Sequence, residues 1–278
     1  MSAAGGEKPV FTLTPPHYHN AWAYRFLINE LGSKGYLAHA PRLEISDPDM
    51  TRDDHAAVMR EAEERIGAES YIRAGASWGG DLIYRELGSH VSKLVFLGAP
   101  LRPVLQRLKV PTVIPELANL PRIPYASYVS GERTYGFDRE ELGNVIYRNL
   151  GDSAVKNWAV SQLEPHPHTY EDPAKDENAV IPVEMEKHYV GLVNDEIFDY
   201  ADQVRTAKFF GMEITPLTTG HFAMFEDPKK LAELFVEIAE DRLNKVKWAA
   251  LHYEDRRRKL ITSPSISVGK SAVVSAYA

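Results

Sequence analysis

Residues 71–87, YIRAGASWGGDLIYREL, begin as a β-strand and end as a helix, and Gly75-Ala76-Ser77-Trp78-Gly79 occupies the change between them. At a strand–turn–helix reversal of this kind, small residues on either side relieve crowding and push the serine side chain out above the sheet. The helix that starts there aims backbone N–H groups at whatever the serine attacks. A serine hydroxyl is a poor nucleophile at neutral pH, so Ser77 requires a base, and the base requires an orienting acid. In strand–turn–helix sites the chain order is serine, acid, histidine. The histidines downstream are His90, His166, His168, His188, His221 and His252. His221 lies in TTGHFAMFEDP (218–228), a loop between a strand pattern and the last amphipathic helix, where an imidazole can reach over a sheet edge. His188 falls inside a strand pattern and His252 in the C-terminal helix. For the acid, YVGLVNDEIFD (189–199) ends an apolar strand at Val193 and offers Asp195, with Glu196 as its competitor. Asp199 and Asp202 fall in the next helix as surface charge.

Strand and helix patterns alternate outward from this stretch. VFTLTP, from Val10, reads as a strand halted by Pro15-Pro16. NAWAYRFLINELGSKG (20–35) puts Trp22, Phe26, Leu27 and Leu31 on one helical face, stopped by Gly32 and Gly35. YLAHAPRL (36–43) reads as a second strand. Thr51 to Asp54 resembles a capping box, opening a helix with Val58, Met59, Ala62 and Ile66 on one face. KLVFLGAP (93–100) is the next strand, and then the alternation breaks. Residues 101–181 are rich in Pro and Tyr, with helical stretches near 138–150 and 153–163. A strand from Val183 (VEMEKHYVGLV), a helix over about 200–210 and the strand EITPL (213–217) restore the alternation. Asp227-Pro228 then opens a helix with Leu231, Leu234, Phe235 and Ile238 on one side. The pattern predicts a mostly parallel central sheet with helices on both faces. It divides the chain into a core at 8–100 and 182–253, a cap inserted at 101–181, and a tail at 254–278. The basic cluster from Arg256 to Lys259 reads as a solvated helix end and loose tail, with a nuclear or phosphate-binding segment as the alternative.

The bulk properties narrow the class. The 278 residues suffice for one large domain with an insertion, and 44% hydrophobic with 26% charged residues is ordinary for a soluble protein. A formal net charge of −7 disfavours a nucleic-acid partner. The absence of cysteine removes disulfides, thiol chemistry and cysteine-held metal. The N-terminus has no secretory pattern, and no apolar run approaches the roughly 18 residues that cross a membrane. A cytoplasmic protein is the expectation, with no membrane partner. His17 and His19 form a His-x-His pair, but no third acidic or histidine partner is recognisable nearby, so no metal is expected. They read as a polar rim loop, or as a loop with one imidazole lining the pocket.

Several stretches together resemble the α/β-hydrolases of the plant methylesterase and hydroxynitrile lyase group. They are NAWAYRFLINELGSKGY, GASWGG, NVIYRNLGDSAVKNWAVSQLEPHP, VNDEIF and GHFAMFEDPKKLAELFVEIA, and the likeness spans roughly residues 10 to 240. The resemblance implies an α/β-hydrolase fold with a helical cap and a Ser77–Asp195–His221 triad, the same set reached from spacing. Members of the group carry a His-Gly pair after the first strand, and the residue following it donates one oxyanion-hole N–H. Counting back from Trp22, that pair is replaced here by Pro15-Pro16, which makes His17 the donor beside the N–H of Trp78. Pro16 fixes φ where glycine would leave the loop free.

The expectation is a serine hydrolase acting on a small or medium carboxylic ester or lactone, with His19 and Phe222 facing substrate and no cofactor. The alternatives are a lyase or cyclase of a natural product that uses Ser77 and His221 as acid and base, or a ligand receptor that keeps the pocket. The lysine that handles cyanide in the hydroxynitrile lyases is not evident after His221, where Phe222, Ala223 and Met224 follow. An exposed apolar cap edge would support a homodimer.

Overall fold

The computed structural model describes residues 7–47, 49–101, 138–166, 180–243 and Lys247, and the backbone alone of 122–126 and 133–137. The tail at 254–278, His168 and His252 lie outside the described residues. The strands are β1 (Val10–Thr14), β2 (Ala38–His39), β3 (Tyr71–Ala76), β4 (Val91–Leu97), β5 (Arg122–Ala126), β6 (Arg133–Phe137), β7 (Glu186–Leu192) and β8 (Glu213–Leu217). The helices are α1 (Arg25–Ser33), α2 (Arg52–Ile66), α3 (Arg139–Ile146), α4 (Ser153–Gln162), α5 (Tyr200–Phe209), α6 (Ala223–Glu226) and α7 (Pro228–Ala239).

Six strands form one sheet in the order β2-β1-β3-β4-β7-β8, every neighbour parallel. The chain leaves β1 in one direction to make β2 and returns to place β3 on the other side of β1. The order therefore reverses between β1 and β3, and open α/β sheets bind ligands outside the carboxyl ends of strands at such a switch point. The loop from Pro15, the turn from Ser77, and the loops after β7 and β8 all leave that edge.

Both faces of the sheet are covered, so the strands are apolar on both sides. In β4, Val95 and Leu97 enter the core shared with α1 and α7, while Leu94 and Phe96 point into the opposite core. That is the two-residue period of a strand. Leu231, Leu234, Phe235 and Ile238 of α7 are all buried against α1 and the sheet. Each contributes roughly 1.5–3 kcal/mol by leaving water. The capping box is present: Asp54 N donates to Thr51 Oγ1 at 3.1 Å, and Thr51 N donates to Asp54 Oδ2 at 2.7 Å.

Four details differ from the sequence reading. YLAHAPRL supplies only the two-residue strand β2. Ile66 is 40% exposed, and the buried stripe of α2 runs instead through Arg52, His55, Ala56, Met59 and Glu63. After Ser77 there is a five-residue 3-10 turn, Ser77–Asp81, in place of a full helix. Gly79 and Gly80 have low helix propensity. In addition, the buried Arg73 guanidinium draws the next carbonyls away, bonding Arg85 O at 2.7 Å, Glu86 O at 3.2 Å and Ile83 O at 3.4 Å. Finally, the segment 101–181 is not purely helical: β5 and β6 pair antiparallel as a hairpin, with Arg122 opposite Phe137. Helices α3 and α4 follow, each N-capped by an aspartate, Asp138 and Asp152. Trp158 of α4 meets Trp22 edge to face, with centroids 5.5 Å apart. Among the described residues no helix is long and apolar enough to cross a membrane.

Candidate active site

Ser77 stands directly after β3 with φ +51°, a left-handed conformation that costs a non-glycine residue of order 1–3 kcal/mol. The flanking glycines make that turn possible. A Cβ on Gly75 would lie 2.4 Å from Gly79 O, and one on Gly79 would lie 2.4 Å from Thr14 O. The backbone of the turn thus lies against the end of β1, and only glycine fits at either position.

Asp195 and His221 are brought together from 26 residues apart. Asn194 N donates to Thr219 O and Val193 N to Leu217 O, both at 3.0 Å, so the loops after β7 and β8 are joined at their bases. The His221 Nδ1 atom lies 2.7 Å from Asp195 Oδ2, with both side chains 5% exposed or less. The carboxylate accepts, so Nδ1 carries the proton and Nε2 is left as the basic nitrogen. Asp195 Oδ1 accepts from Ile197 N at 2.8 Å and Phe198 N at 2.9 Å, and Gln203 Nε2 donates to Oδ2 at 3.0 Å. Glu196 points elsewhere: its Oε2 is 2.5 Å from Arg148 Nε at the surface. Ser77 emerges from the same carboxyl edge, but among the described residues no hydrogen bond joins it to His221. Such bonds commonly tighten only around substrate.

The loop after β1 carries His17 and His19. His19 N donates to Pro16 O at 3.2 Å, closing a turn in which Tyr18 has φ +65°. His17 is exposed, with its ring 5.4 Å from that of Trp78, so the two residues expected to supply oxyanion N–H groups are neighbours. Trp78 is 2% exposed and also meets the rings of His55 at 5.6 Å and His166 at 4.6 Å. The 164–166 segment grips this loop: Glu164 N donates to Tyr18 O at 2.9 Å, and Asn20 Nδ2 donates to Glu164 Oε2 at 3.2 Å.

His19, expected to face substrate, is fully buried with both ring nitrogens engaged. Nδ1 donates to His17 O at 2.5 Å, which leaves Nε2 to accept from the Tyr147 hydroxyl. Its ring stacks on Phe222 at 4.9 Å and Trp22 at 5.0 Å. Burial first, then the nearby His221, lowers its pKa to about 3. Phe222 also meets His221 edge to face, with centroids 5.1 Å apart. Both line a shallow, solvent-open recess with room for little more than a water molecule, whose apolar wall is Ile146, Tyr147, Leu150 and Ile197 and whose rim includes Arg148 and Glu196. Sequence reasoning missed Tyr147 and Gln203. A glutamine on the inward side of α5, beside buried Thr206 and Ala207, is the one signal that could have drawn notice.

No family model and no curated protein sequence matches the chain. The fold is that of the α/β hydrolases. Polyneuridine aldehyde esterase is similar in structure with a TM-score of 0.70 at 17% identity, over 84% of this chain and 100% of that one. Tomato methylketone synthase I gives 0.69 at 17% identity, over 86% and 100%. A pyrethroid hydrolase gives 0.65 at 19%, over 84% and 98%.

Proposed function

We propose that this protein is a serine hydrolase of small or medium carboxylic esters or lactones. Ser77 Oγ attacks the substrate carbonyl while His221 Nε2 takes its proton. The resulting oxyanion is held by the backbone N–H groups of Trp78 and His17. The intermediate collapses to an acyl-enzyme as His221 returns the proton to the leaving alcohol. Water, deprotonated by the same imidazole, then releases the acid. Asp195 holds the tautomer and stabilises the imidazolium. The observation that carries this reading is the 2.7 Å Asp195–His221 bond, buried at the sheet edge where a strained serine also emerges. The esterase and hydrolase among the structural neighbours support it.

Wild type and Ser77→Ala should be treated with a fluorophosphonate and assayed on aryl esters and lactones of graded length. The expected result is labelling that vanishes in the variant, with turnover down on the order of 10⁴-fold or more. Labelling at Ser77 without turnover of any ester would replace hydrolysis with lyase, cyclase or receptor chemistry. No labelling of the folded wild type would overturn the role of Ser77 itself.

A further inference from the structure

Gln203 is fully buried in the first turn of α5, and its carboxamide joins three pieces of the site's framework. Oε1 accepts from Leu192 N, the last residue of β7, at 2.8 Å. Nε2 donates to Phe198 O at 2.7 Å and to Asp195 Oδ2 at 3.0 Å, with a longer contact to Leu192 O at 3.3 Å. This network fixes the amide orientation, because Leu192 N–H needs an acceptor and the carboxylate needs a donor. A buried carboxamide is costly unless bonded, and here every polar atom is used.

We propose that Gln203 is a positioning residue for the reaction, acting on His221 through Asp195; this rests on the hydrolase reading above. The carboxylate receives four donors. Two backbone N–H groups hold Oδ1, while Gln203 and His221 share Oδ2. Gln203 is the only side chain besides His221 bonded to Asp195 among the described residues. Together with the two backbone N–H groups on Oδ1, it therefore fixes the rotation of the carboxylate plane that aims Oδ2 at Nδ1. Because it is tied to Leu192, the acid is referenced to the end of β7 rather than to its loop alone.

The test compares Gln203→Met in the wild-type and Asp195→Asn backgrounds, with rates taken per fluorophosphonate-titrated site. In the wild-type background kcat should fall about ten- to a hundredfold, as when outer hydrogen-bond partners of an active group are removed, with KM within about twofold. In the Asp195→Asn background the same substitution should change kcat little, because both act through one bond. Equal losses in both backgrounds, or an unchanged kcat, would overturn the proposal. Should the variant not fold, NMR of the unmutated protein decides. The Gln203 side-chain amide signals should shift with the same midpoint as the His221 titration, and signals indifferent to that titration would refute the link. The NMR arm is independent of turnover, so it still judges Gln203 if the wild type hydrolyses nothing.

Discussion

Replacing Arg73 tests how the chain supports the turn that presents Ser77. The guanidinium and the Glu63 carboxylate are both 0% exposed and meet through two bonds, Nε to Oε1 at 2.9 Å and Nη2 to Oε2 at 2.7 Å. Burial raises the pKa of Glu63, but the Arg73 hydrogen bonds and charge, with help from Thr12 and His90, bring it below its ordinary value. Arg73→Met would strand that carboxylate in the core, which costs about 3–5 kcal/mol. It would also release the carbonyls of Ile83, Arg85 and Glu86. With a urea dependence near 3 kcal/mol per molar, the unfolding midpoint should drop by about 1–2 M. The double variant Glu63→Leu/Arg73→Met removes both charges and should recover most of that loss, since apolar replacement of a buried pair is often close to neutral. What it does not recover reports the three carbonyls. Equilibrium urea unfolding followed by tryptophan fluorescence reads both variants. A single substitution costing under about 1 kcal/mol, or a double no better than the single, would refute the assignment of this pair as mutually dependent.

Asp195→Asn should lower esterase kcat on the order of 10⁴-fold by favouring the wrong histidine tautomer, whereas Glu196→Gln should leave it within a few fold; comparable losses from both would mean that the acid is misassigned. Stability should fall as the pH is lowered from 6.5 to 4.5. Unfolded imidazoles take up protons below about pH 6.5, while burial keeps His19 neutral down to about 3 and His55 to about 4. The unfolded chain then binds more protons, and each histidine withdraws about 2–3 kcal/mol of stability over that window. Urea midpoints at the two pH values check this, and a flat profile would contradict neutral burial of the pair.

The local signals in this chain were legible because they act over a few residues. Apolar spacing marks α1 and α7, Thr51 and Asp54 cap α2, and glycines bracket Ser77, each readable without knowing any neighbour. The candidate site was legible for a related reason. Ser77, Asp195 and His221 each follow a recognisable strand, and parallel strands deliver the residues after them to one edge. What tertiary structure alone decided are the pairings between distant residues. Asp195 rather than Glu196 faces His221 because Ile197 N and Phe198 N turn its carboxylate inward, while Glu196 finds Arg148. Glu63 displaces Ile66 from the buried face of α2 because a buried arginine waits in β3. His19 is engaged by Tyr147, 128 residues away, and Gln203 reaches from the first turn of α5 back to Asp195 in the loop before it. A polar side chain on an apolar face is uninterpretable by periodicity, since its burial becomes favourable only once its partner is in place.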